Sequence, residues 1–112
     1  MNQQLDPELM QQSTQIIVYA GNAREKVNDA LKLAYDEKFD LAYNKLDDAQ
    51  TDLNEAHRVH MKLLQTEAKG EALEFSILLT HAQDTLMVSM SELHMAKHML
   101  KMYEKMAKTS VG

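Results

Sequence analysis

With 112 residues, no cysteine and a formal charge of −5, the chain has room for one compact domain and excludes several classes of protein. Without thiols there is no disulfide framework and no thiolate chemistry, and the acidic balance argues against nucleic-acid binding, which leaves a basic footprint. No apolar run reaches membrane-spanning length and no signal-peptide pattern opens the chain, so the expectation is a soluble, cytoplasmic protein that does not itself span a membrane.

Only three glycines and one proline interrupt a composition rich in Ala, Leu, Met, Glu, Lys and Gln, all good helix formers. Residues 1–12, MNQQLDPELMQQ, read as a flexible polar lead-in, and residues 13–112 as a single domain. Ser13 or Thr14 can cap a first helix. Ile16, Ala20, Ala23, Val27, Ala30 and Ala34 then recur at steps of three and four, which is one stripe of an α-helix. Gly21 lies inside this helix, and close packing against a neighbour would explain a residue that otherwise costs about 1 kcal/mol there.

The stretch DEKFD at 36–40 breaks the pattern and offers Asp36 or Asp40 as the next cap. A second stripe follows: Ala42, Leu46, Ala49, Leu53, Ala56, His60 and Leu63. Lys45, Asp48, Asp52, Glu55 and Lys62 form the opposite, solvated side. AKGEA at 68–72 supplies a glycine stop. A third helix should run from about Leu73 to about Ala107, with Lys97, Lys101, Lys105 and Lys108 gathered towards its negative dipole end. With no alternating strand pattern and two short connections, the fold is expected to be all-α, an antiparallel up-down-up three-helix bundle.

The third helix is more apolar than such a bundle requires. Leu79, Ala82, Leu86, Ser89, Leu93, Ala96, Leu100 and Tyr103 form a heptad-spaced seam for the other two helices. Ile77, His81, Asp84, Val88, Ser91, Met95, His98 and Met102 form a second stripe nearly opposite the first, because positions two apart lie about 200° apart on a helix. A small bundle buries one face of each helix, so something else should cover this one. The simplest cover is another copy of the chain in a closed ring. Asp84 of each copy would then meet at the axis, where clustered carboxylates share protons or bind a cation. Oxygen donors favour Mg²⁺ or Ca²⁺ over zinc. His81, one turn earlier, would lie at the seam between copies.

Blander readings carry comparable weight on the pattern alone. His81 and Asp84 read equally as a structural pair in which the carboxylate orients the imidazole, fixing register and oligomer state. Met87, Met90, Met95, Met99, Met102 and Met106 read as packing residues in preference to an adaptable binding surface. His57, His60, His94 and His98 form no zinc pattern with a carboxylate partner and read as surface or seam positions. Signals for Ser/His/Asp hydrolysis, phosphate-binding glycine loops and paired acid–base carboxylates are absent.

Four motifs in order carry a resemblance. YAGNAR at 19–24, LNEAH at 53–57, EAKGE at 67–71 and HAQDTLM at 81–87 together resemble the IIA component of the lactose/cellobiose (chitobiose) family of bacterial sugar phosphotransferase systems, over about residues 14–107. The resemblance implies a phosphotransferase that receives a phosphoryl group on His81 from the phosphocarrier HPr and hands it to a cysteine of a IIB component, during uptake of a β-linked disaccharide such as cellobiose, lactose or chitobiose. It also implies a homotrimer joined through the third helix, with Asp84 of each subunit binding a divalent cation, commonly Mg²⁺, on the trimer axis, and Gln83 on the motif glutamine as a supporting residue. Two positions depart from the family pattern, H-x-Q-D-H-L-M: Thr85 replaces a second histidine, and His60 stands where glutamine is usual. The alternatives are a regulatory relative that no longer feeds a transporter, and a purely structural assembly module. The sugar itself is chosen by the membrane component and is not written in this chain.

Overall fold

The computed structural model describes residues 6–70 and 76–110. They form three α-helices, α1 (Pro7–Tyr35), α2 (Phe39–Ala68) and α3 (Ile77–Ser110), with no strand among the described residues. The dimensions, 69 × 24 × 17 Å, are those of helices lying side by side. Cross-helix bonds give the directions. Tyr43 reaches Glu104, Lys97 reaches Gln50 and His60 meets Gln83, so the numbering of α3 falls as that of α2 rises and the pair is antiparallel. Ser89 reaches Ala20 and Arg24 reaches Glu92, so α1 and α3 are parallel. This is the expected up-down-up bundle.

The core is the expected one. Every residue of the first two stripes is buried, and so is the third-helix seam from Leu79 to Leu100. Tyr103, the seam's last member, is half-exposed and stacks at a tilt on Phe39, ring centroids 5.8 Å apart. Of the residues assigned to the solvated side of α2, Asp48 and Lys62 are exposed while Lys45, Asp52 and Glu55 are partly covered, Asp52 held 2.7 Å from Lys26 of α1.

Helix boundaries depart from expectation for identifiable reasons. Neither Ser13 nor Thr14 caps α1. The helix starts at Pro7, inside what reads as a lead-in, because Asp6 Oδ1 accepts from the Glu8 amide at 3.1 Å and proline suits the first helical position. Leu9 and Ser13 extend the buried stripe by one turn, and Ser13 Oγ has no partner among the described residues. Residues 1–5 lie outside the described residues.

Neither Asp36 nor Asp40 caps α2. Asp36 ends α1, and Glu37 follows in the left-handed region at φ 59°. The Glu37 amide donates to Ala34 O at 2.9 Å and the Lys38 amide to Leu33 O at 3.0 Å, a Schellman closure that normally selects glycine. Lys38 then opens α2 without a side-chain cap. The glycine stop after α2 is present, with Gly70 at φ +89°. The third helix is described from Ile77, and the expected start at Leu73 lies outside the described residues.

Gly21 is not packed against a neighbour within the chain: a Cβ there would meet nothing within 4 Å. The six methionines of α3, which read as packing residues, are exposed in this chain and lie outside its buried core.

Candidate functional site

Ser76 fixes the start of α3. Its hydroxyl accepts from the Leu79 amide at 3.2 Å, and its carbonyl accepts both the Thr80 amide and the Thr80 hydroxyl at 3.0 Å. Ser76 is itself buried. This cap sets His81 one turn inside the helix, close to the end where backbone amides and the helix dipole favour negative charge.

His81 is exposed, and its ring makes no hydrogen bond or ion pair among the described residues. A structural histidine normally spends at least one ring nitrogen on a partner; this one has both available. Thr85 turns its hydroxyl back along the helix and donates to the His81 carbonyl at 2.8 Å. The hydroxyl proton is therefore spent on the backbone. Ser89 in turn donates to the Thr85 carbonyl at 2.6 Å and lies 3.3 Å from Ala20 O of α1. This chain of bonds ties the His81 turn to the neighbouring helix.

Asp84 shares the exposed side of α3 with His81 and is also without a partner among the described residues. Gln83 goes elsewhere. It is half-buried between α3 and α2, its Nε2 3.3 Å from His60 Nε2. Positions two apart point to nearly opposite sides of a helix, so the structure brings His81 and Asp84 together and sends Gln83 to the α2 interface. With the Gln83 amide so placed, it donates and the neutral His60 ring accepts. Burial, and secondarily the charge of His57, pushes the His60 pKa below its ordinary value, which agrees with an accepting, neutral ring. Sequence reading missed this pair because it joins residues 23 positions apart on different helices; only the place of His60 within the buried stripe hinted at it.

Among the described residues, no group of three or more His, Cys, Asp or Glu side chains of a single chain could hold a metal ion. A lone Asp84 carboxylate offers hard oxygen donors suited to Mg²⁺, but too few of them. It fits such a cation only where further carboxylates converge on it from other copies.

These features are those of a helical bundle that presents an unpartnered histidine near a helix start, and comparison with known proteins defines its class. Residues 11–104 match the family model described as "PTS system, Lactose/Cellobiose specific IIA subunit". The chain is 38% identical over 91 residues to the lactose-specific EIIA component of Staphylococcus epidermidis, covering 81% of this chain and 88% of that protein. It is 34% identical to the crystal structure of the cellobiose-specific enzyme IIA from Bacillus anthracis, with a TM-score of 0.88 over 96% of this chain and 98% of that one. It is 31% identical to a chain in the solution structures of a chitobiose IIA–HPr complex, with a TM-score of 0.80 over 91% and 99% of the two chains. The class is thus the IIA subunit of a phosphotransferase system. Within it, the chain belongs to the lactose/cellobiose-specific IIA family. No described helix is long and apolar enough to cross a membrane.

Proposed function

We propose that the protein is a cytoplasmic phosphocarrier of a sugar phosphotransferase system, in which His81 accepts a phosphoryl group from phospho-HPr and passes it to a cysteine of the cognate IIB component. The observation that carries this reading is the state of His81, which is exposed with both ring nitrogens unengaged among the described residues. A neutral imidazole is a good nucleophile near neutral pH. One of its nitrogens attacks phosphorus in line, the new P–N bond forms as the P–N bond to the HPr histidine breaks, and the leaving imidazole carries away the electron pair. In the second transfer a IIB thiolate attacks the same phosphorus and His81 is released. Phosphoryl transfer needs mainly positioning and charge stabilisation. The amide-rich start of α3 contributes to the second, and no Lys or Arg pairs with His81 among the described residues, so HPr and IIB supply the remaining positive charge. That a family relative is solved in complex with HPr supports the choice of donor.

The same reading includes a homotrimer joined through α3. The second stripe, from Ile77 to Met102, is exposed in the single chain, and a parallel ring of three copies would cover it from Asp84 to Met102 while leaving His81 at the seam between copies, open to HPr. Asp84 of each subunit would then hold a divalent cation, Mg²⁺ by donor type, whose role when bound is to neutralise three converging carboxylates. Asp84→Leu should bring the trimer's divalent-metal content to background by elemental analysis, and unchanged content would remove Asp84 as the ligand.

Intact mass after incubation with phosphoenolpyruvate, enzyme I and HPr tests the carrier role. One acid-labile phosphoryl group per chain, mapped to His81 and absent from His81→Gln, is the expected result. Labelling that persists in His81→Gln would remove His81 as the acceptor.

A further inference from the structure

The second stripe of α3 carries a pattern that phosphoryl transfer does not use. Asp84, Ser91 and His98 stand seven residues apart, with Val88, Met95 and Met102 interleaved at four-residue steps. All six are exposed in the single chain, Met95 and Met102 by more than half. Residues seven apart occupy equivalent heptad positions in a parallel coiled coil, and equivalent positions of each copy meet in one layer. If Asp84 lies on a threefold axis, the His98 side chains of the three copies lie on it too. They do so 14 residues further along, about 21 Å at 1.5 Å per residue.

Three imidazoles converging on one axis are a different kind of site from three carboxylates. The geometry points to a second, tris-histidine cation site in the trimer, formed by His98 of each subunit and selective for zinc over magnesium. It rests on the trimeric reading above. Neutral imidazole nitrogens suit Zn²⁺, with three protein ligands and an open fourth position for water. His94 supports the arrangement from one turn away. Its ring meets that of His98 edge to face, centroids 4.9 Å apart at 83°, which restricts the rotation of His98. The apolar layers of Met95 and Met102 on either side would shield the site. Lys105 takes the next heptad place, where three ammonium groups would repel, so the close seam ends just beyond His98.

Native mass spectrometry and calorimetric titration with zinc test the site on the whole protein. The expected result is a trimer that binds one Zn²⁺ per three chains at this site, with affinity reduced at least tenfold in His98→Gln. The site should survive in Asp84→Asn, and in His94→Gln the ratio of one per three should remain. A trimer whose zinc binding is the same in His98→Gln as in the parent would overturn the axial site while leaving the trimer intact. One zinc per chain, lost in either His94→Gln or His98→Gln, would also overturn it and assign the metal to a pair within one helix. A monomer would overturn the trimeric reading and the axial site together.

Discussion

At the scale of single residues, Thr85 and His60 are the informative side chains. Thr85 spends its hydroxyl on the carbonyl of His81, so it can stiffen the turn that bears the nucleophile but cannot donate the same proton to a phosphoryl group. His60 places an ionisable ring at a buried position against Gln83. That ring gives the fold a pH dependence. Burial and the neighbouring His57 lower the His60 pKa in the folded chain from its ordinary 6.5, so between the folded and unfolded values the unfolded chain binds more protons. The stabilising contribution is therefore fully present above about pH 6.5 and is lost as pH falls through the lower folded-state value. The midpoint of thermal unfolding should drop more steeply between pH 7 and pH 5 in the parent than in His60→Gln, followed by circular dichroism. Parallel pH profiles for the two proteins would show that the ring is solvated in a way the buried geometry does not suggest.

At the scale of elements, the interiors of the helices were legible and their ends much less so. Three- and four-residue periodicity is a property of a whole stripe, and one misread position does not change its direction; Ile16 to Ala34, Ala42 to Leu63 and Leu79 to Leu100 all proved buried. A boundary rests on one or two local bonds, and several residues compete for the role. Asp6 with Pro7 outcompetes Ser13 because it can cap while Leu9 still reaches the core. Between α1 and α2 the chain turns through a left-handed Glu37, a residue type that gives no such signal. At the candidate site, His81 and Asp84 were legible through their spacing on one face. The turning of Gln83 towards α2 was not, because it depends on a partner in another helix. The Ser76 cap shows what a boundary contributes. Removing the hydroxyl in Ser76→Ala leaves the Leu79 amide unsatisfied at a buried helix start and should cost about 1 kcal/mol of unfolding free energy. Urea denaturation measures this directly; an unchanged midpoint would mean that α3 starts without the cap.

At the scale of the molecule, the bundle closes around one side of α3 and leaves the other bare. Val88, Met95 and Met102 are each about half exposed, in line with Ile77 at the helix start, and no segment of the described chain crosses over them. Large apolar side chains recurring at every second place of this stripe or nearly so, along most of a 34-residue helix, make a surface that monomeric proteins avoid unless it serves an interaction. Its heptad spacing favours identical helices in parallel, since every layer then repeats one residue type around the axis. Val88 tests this without touching the bundle core. In the free chain it is 47% exposed, so Val88→Asp should leave helicity and core packing unaltered. In a trimer the same substitution would bring three carboxylates together in an apolar layer, one turn from those of Asp84, where desolvation and mutual repulsion oppose assembly. Light scattering should find the parent at three times the 12.8 kDa chain mass and the variant at the chain mass itself. A variant that stayed trimeric would mean that the copies meet through another face, and that the bare side of α3 is reserved for a different partner.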